Sequence, residues 1–138
     1  MSAFAAHRLQ EAVFAALSAD ADLGARITGL YDRPPEGAIA PYISFGDTSI
    51  DPYDTKTIGG TRIRFDISVW TSGSGQMDAK EIMALVDAVL HDSLPEVSGF
   101  DLVSLRLASA RVTHDDSDAA ALTEGRISYQ AVLFKAQI

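Results

Sequence analysis

The 138-residue chain contains no cysteine, which excludes disulfide frameworks, thiol nucleophiles, zinc–thiolate clusters and cysteine-ligated iron–sulfur centres together. Basic residues are scarce as well: 11 Lys and Arg stand against 19 Asp and Glu, a formal net charge of -8. A domain that grips nucleic-acid backbone over a broad face needs the opposite balance. No run of 18 apolar residues occurs, so no transmembrane helix is expected. The opening MSAFAAHRLQEAVF breaks its apolar residues with His7, Arg8, Gln10 and Glu11. That differs from the basic-then-apolar order of a signal peptide, and a chain made and kept in the cytoplasm is expected. Apolar residues, in contrast, make up 47% of the total, with 10 Gly and 5 Pro, the balance of an ordinary globular chain. At this length one domain over residues 1–138 is expected, hiding roughly two-thirds of its unfolded surface.

Periodicity supplies the elements. Leu9, Val13, Ala16 and Leu17 share a stripe in an alanine-rich stretch from Ala3 to Leu17, which predicts a helix with Ser2 placed to cap it. Asp20, Asp22 and Gly24 end that pattern, with a short helical turn expected near Leu23 to Ile27. The stretch holding Pro34, Pro35 and Gly37 is turn-rich, and Tyr42 to Phe45 reads as a short strand. Residues 46 to 60 predict either a long loop or a protruding, bent hairpin arm. In TRIRFDISVW, Ile63, Phe65, Ile67 and Val69 alternate with Arg62, Arg64, Asp66 and Ser68, the period of a sheet covered on one side. A glycine-rich turn then leads into a helix over about Met77 to His91, where Ile82, Leu85, Val86 and Val89 recur at helical spacing. The last third predicts strands at Leu102 to Val112 and Arg126 to Ile138, joined by a polar segment over 113 to 125. The sum is an α+β domain, two helices packed on one face of a mostly antiparallel sheet.

Chemistry is sparse along this chain. His7, His91 and His114 stand apart, with no second histidine at ligand spacing. His114, Asp115, Asp116 and Asp118 gather oxygen and nitrogen ligands on one loop, yet lack the central Gly and terminal Glu of a calcium loop. A solvated acidic loop is the preferred explanation of them, and of Asp47, Asp51 and Asp54 likewise. The GSG at 73 to 75 is not a Gly-x-Ser-x-Gly elbow, and no Gly-Lys-Ser/Thr follows a glycine loop. No catalytic residue, cofactor-binding residue or metal ligand is assigned. Arg62 and Arg64 on one strand, with Arg106 and Arg111 on another, form a positive stripe if those strands are neighbours. The charge excess favours their pairing with carboxylates of this protein or of another copy over nucleic acid.

The whole chain resembles the tail-completion or tail-terminator family of long-tailed phages and phage-derived gene transfer agents. The similarity rests on LYDRPPEGAIAPYISFGD, DTKTIGGTRIRFDISVW, SGSGQMDAKEIMALVDAVLHD, LVSLRLASARVTHD and EGRISYQAVLFKAQI in this order. Tyr31, Asp32, Pro41, Tyr42, Trp70, the Ala79-Lys80-Glu81 run and Leu90-His91-Asp92 sit where that family places them. The resemblance implies a non-enzymatic α+β subunit without cofactor that assembles with itself, as a homohexameric ring, at the head-proximal end of a tail tube. It further implies that the ring stops tube growth and meets the tail tube protein on one side and a neck or head-completion stopper on the other. DNA would pass through the channel without tight binding, and no membrane is involved. The implied location is host cytoplasm during assembly, then the virion or gene transfer agent tail. Interface candidates are Asp51, Tyr53, Asp54, Lys56, Arg62, Arg64, Arg111, Asp115 and Asp116. Two other classes stay open: a different neck, head-completion or adaptor component, and a small hydrolase centred on loop 113 to 119.

Overall fold

The computed structural model describes residues 2–73, 75–115 and 121–136. Helix α1 spans Ser2–Ala19 and buries Ala5, Leu9, Val13 and Leu17, a four-residue spacing that keeps one stripe inward. The Asp20 carboxylate then accepts a 2.9 Å bond from the Leu23 N–H and starts the short α2, Ala21–Gly24. Strand β1 is Gly29–Tyr31, β2 Tyr42–Pro52 and β3 Gly60–Ser72; α3 follows at Met77–Leu90, then β4 at Phe100–Asp115 and β5 at Leu122–Lys135.

The five strands form one sheet in the order β1-β2-β3-β5-β4. Three of its pairings are antiparallel, but β1 runs parallel to β2, through Gly29↔Tyr42, Leu30↔Ile43 and Tyr31↔Ser44. The sheet is therefore mixed, which corrects the mostly antiparallel expectation. The cause is a strand of 3 residues hidden in the stretch read as turns. Pro34 and Pro35 fall in the connection after it, which carries the chain back so that β2 starts alongside β1 in the same direction. The short helical turn expected near Leu23 to Ile27 is α2, which begins earlier, at Ala21.

Helix and sheet meet in one core. Ile43 of β2, Ile63, Phe65, Ile67 and Val69 of β3, and Ile127, Tyr129, Ala131 and Leu133 of β5 cluster with the buried stripe of α1 and with Ile82, Val86 and Leu90 of α3. Alternation on β3 puts these side chains on one face at every second position, as the sequence period requires. Each fully buried Ile contributes about 1.5–3 kcal/mol of transfer free energy. Close approach of α3 to β5 depends on Gly125, since a Cβ there would run into the Met83 sulfur. The side chain of Ser2 lies outside the described residues, so the proposed cap is not among the observed contacts.

Candidate functional site

The second face of the sheet carries the polar half of each alternation. Its centre is a network between β3 and β5. Glu124 Oε2 accepts from Ser68 Oγ at 2.8 Å and from Arg126 Nη2 at 3.1 Å. Asp66 accepts from Ser128 Oγ at 2.5 Å, and its second oxygen lies 3.8 Å from Arg126 Nη1. The bond to Glu124, more than any other contact, pushes the Arg126 pKa further up. The arginine is therefore a fixed cation whose charge is answered within the protein. At one end of this face Trp70 stacks on Tyr42 with centroids 6.3 Å apart and donates its indole N–H to Ser44 Oγ at 3.1 Å. Tyr42 meets Tyr31 edge-on at 5.9 Å. Burial, then the neighbouring Tyr31, raises the Tyr42 hydroxyl pKa, so that hydroxyl stays neutral at ordinary pH.

The sequence-derived interface residues divide between the two ends of the sheet. At the β2–β3 tip, Asp51 and Arg62 are register partners whose charged atoms lie 3.9 Å apart. The Arg62 guanidinium sits 5.9 Å from the Tyr53 ring centroid, and Tyr53 meets Phe134 edge-on at 6.2 Å. Asp54 Oδ1 accepts the Gly60 N–H at 2.9 Å and closes the turn. Gly60 has no room for a side chain there: a Cβ would lie 2.6 Å from Phe134 Cε1 and strike the Tyr53 carbonyl oxygen. Lys56 is exposed at the tip. The segment read as a loop or arm is thus β2 as far as Pro52, followed by a tip held by Asp54 and Tyr53.

Arg111 lies elsewhere. Its row runs Ser44, Ser68, Arg126, Arg111, and Ser68 is about 20 Å along β3 from Arg62 at ~3.3 Å per residue. Arg64 is nearer the tip, in the row Ser49, Arg64, Gln130, Arg106. The strands bearing the four arginines are not neighbours, because β5 intervenes and adds Arg126. Asp115 pairs with Leu122 at the far end of the β4–β5 hairpin; its side chain and the whole of Asp116 and Asp118 lie outside the described residues. Sequence reasoning passed over Glu124, Arg126 and Ser128, although their every-second spacing from 124 to 128 matches that of Arg62 to Ser68.

Near the tip a cleft of about 720 Å³ lies between Asp54, Gly60 and Thr61 on one side and Gly99, Phe100 and Leu133 on the other. Its hydroxyls, Thr61 and Ser98, have no histidine among the lining residues, and Asp54 is engaged by the Gly60 amide. No group of three or more His, Asp or Glu side chains suited to a metal occurs among the described residues. What the surface offers is hydrogen bonding, charge and exposed strand edge, the materials of an interface.

A family model described as Tail completion protein gp17 matches residues 11–133. The Tail completion protein gp17 of Bacillus phage SPP1 is 29% identical over 111 residues, which cover 80% of this chain and 82% of that protein. Among solved structures, a chain from the virion of a native gene transfer agent particle superposes with a TM-score of 0.85 at 31% identity, covering 94% of this chain and 97% of that one. The structure of bacteriophage SPP1 gp17 protein superposes at 0.65 with 25% identity, covering 97% and 92%.

Proposed function

The chain belongs to the Tail completion protein gp17 family, and from that premise we propose that it is the terminator subunit of a phage-like tail. In this reading copies of the chain form a ring of six on the head-proximal end of the tail tube, stop its elongation and join it to the neck. The observation that carries the proposal is the end-to-end correspondence with a chain of a gene transfer agent particle, 94% of one and 97% of the other.

The surface chemistry agrees. A conduit for DNA must not retain a polyanion, and the net charge of -8 together with internally paired Arg126 keeps the sheet face from acting as a phosphate clamp. The two ends of the sheet, the Asp51–Arg62 tip and the β4–β5 hairpin, offer two separate contacts, one for the tube and one for the neck protein. Assembly takes place in the host cytoplasm and leaves the protein in the finished particle.

Light scattering on the purified chain, alone and mixed with tail tubes from the same source, tests this. A discrete mass near six times 14.7 kDa, or saturation at about six copies per tube end, is expected. A chain that neither closes a ring nor associates with tubes contradicts the proposal.

A further inference from the structure

The sheet ends in two unlike edges. On one side β1 covers β2 only from Tyr42 to Ser44, leaving 46 to 52 without a strand neighbour; that stretch carries Asp47 and Asp51 and no cation. On the other side β4 pairs with β5 alone. The connection from α3 straps the middle of this edge, where the Asp92 N–H donates to Leu105 O at 2.9 Å and the Leu107 N–H donates to His91 Nδ1 at 3.1 Å. Past the strap, from Ser109 to Thr113, the outer edge is open among the described residues, and it carries Arg111.

Arg111 stands opposite Arg126 across β4 and β5, an arrangement of like charges that repels. Arg126 is answered by Glu124 and Asp66, whereas Arg111 has no carboxylate partner among the described residues. A polar cleft of about 290 Å³ opens between them, lined by Asp66, Ser109, Arg111, Arg126 and Ser128. We propose that this cleft and the open β4 edge receive the acidic β2 edge of a second copy of this chain, with Asp47 or Asp51 of that copy paired to Arg111. The inference rests on the ring reading above and names the two faces that close it.

Geometry supports the choice of occupant. Through the three antiparallel pairings, β2 and β4 of one chain run in opposite directions. Copies related by rotation about a common axis along the strands therefore present β4 and β2 antiparallel. The outer-face residues of the free β2 edge are Asp47, Ser49 and Asp51. Whichever of them stands opposite Arg111, a carboxylate lies either directly across or one diagonal step away, within reach of a long side chain. The open segments, centred near Ser49 and Arg111, are offset by about four residues along β5, roughly 13 Å, across four strands or roughly 19 Å. That implies a strand tilt of about 35°, at the lower end of the range of closed barrels. Unlike edges make the contact heterologous, as a ring requires. Apolar area flanks both sides: Leu94, Val103 and Leu107 are 58%, 51% and 38% exposed near the strap, and Phe14, 38% exposed, stacks on Phe45 beside β2.

A charge exchange tests the pairing. Arg111→Glu alone and Asp47→Lys/Asp51→Lys alone are each expected to lose the ring mass while keeping the wild-type circular dichroism, and an equimolar mixture of the two is expected to regain it in alternating order. A ring of unchanged mass from either variant alone, or no recovery in the mixture, overturns the edge assignment while leaving the ring itself intact. A wild-type chain that forms no ring, alone or on tubes, overturns the ring reading instead. Cysteine substitution gives an independent readout, because the native chain has none. A Ser49→Cys/Ser109→Cys chain treated with a short bismaleimide is expected to give a covalent ladder up to the ring size. Dimers from Ser49→Cys alone would mean that like edges meet, and would refute the proposal.

Discussion

Replacing Tyr129 by Phe removes one oxygen from a fully buried aromatic. The ring is fully buried and stacks on Phe65 with centroids 5.7 Å apart, while its hydroxyl donates to Asp87 Oδ1 on α3 at 2.9 Å. Tyr129→Phe keeps the stack and deletes a bond that ties β5 to α3 through polar atoms. Hydrogen bonds to charged groups contribute about 1.5–3 kcal/mol, and the half-buried Asp87 regains some water, so a loss of about 1–2 kcal/mol is expected. For a domain of this size that lowers Tm by roughly 3–8 °C. Tyr129→Ala also empties the ring volume and is expected to cost about 3–5 kcal/mol. The same buried hydroxyl sets an alkaline limit. Burial first, then Asp87, pushes the Tyr129 pKa far above its ordinary value near 10. The unfolded chain therefore ionises at this position as pH passes about 10 while the folded protein does not. The stabilisation is complete below that pH and falls as pH rises above it. Urea melts of wild type and Tyr129→Phe from pH 8 to 11 measure this, and the wild-type curve should descend more steeply. Equal stability at pH 8, or parallel curves to pH 11, would refute the reasoning.

Gly60→Ala should cost about 1–3 kcal/mol, because the new methyl group must displace the Phe134 ring or the Tyr53 carbonyl; a thermal melt unchanged from wild type would show that the tip yields freely. Arg126→Ala leaves Glu124 and Asp66, with side chains 17% and 20% exposed, without their cation, a loss of about 1–3 kcal/mol. A double-mutant cycle with Glu124→Gln should return a coupling of about 0.5–3 kcal/mol, and additivity would contradict the network. If copies meet through Arg111 and the acidic β2 edge, self-association should weaken several-fold as salt rises from about 50 mM to about 500 mM, where screening shortens to a few ångströms. Sedimentation equilibrium measures this, and salt-independent association would point to apolar contact instead.

The elements most legible in the sequence were those with clean periods. The alternation from Arg62 to Val69 marked β3 and its inward face, and the four-residue spacing of Leu9, Val13 and Leu17 marked α1. Both followed from burial, which repeats along the chain. β1 was illegible because 3 residues carry no period and their burial is only intermediate. The polar ends of β4 and β5, from Thr113 to Asp115 and from Leu122 to Gly125, read as loop for a related reason: their strand character comes from pairing with each other. The candidate site was half visible. Asp51 with Arg62 and Tyr53 are close in sequence, and the tip brings them into contact. Arg111 and Arg126 belong to different strands, so only the register between β4 and β5 reveals that they face each other. The parallel β1–β2 pairing depends on where a proline-rich connection lands, which no local pattern encodes.

The central claim concerns where the protein acts. Tail tubes grown from purified tube protein, with the gold-labelled chain added partway, can be measured by electron microscopy for label position and length. The account predicts label at one end of each tube and a halt in elongation from that end once it is occupied. Label scattered along the tube wall, or tubes that keep lengthening past a labelled end, would contradict it.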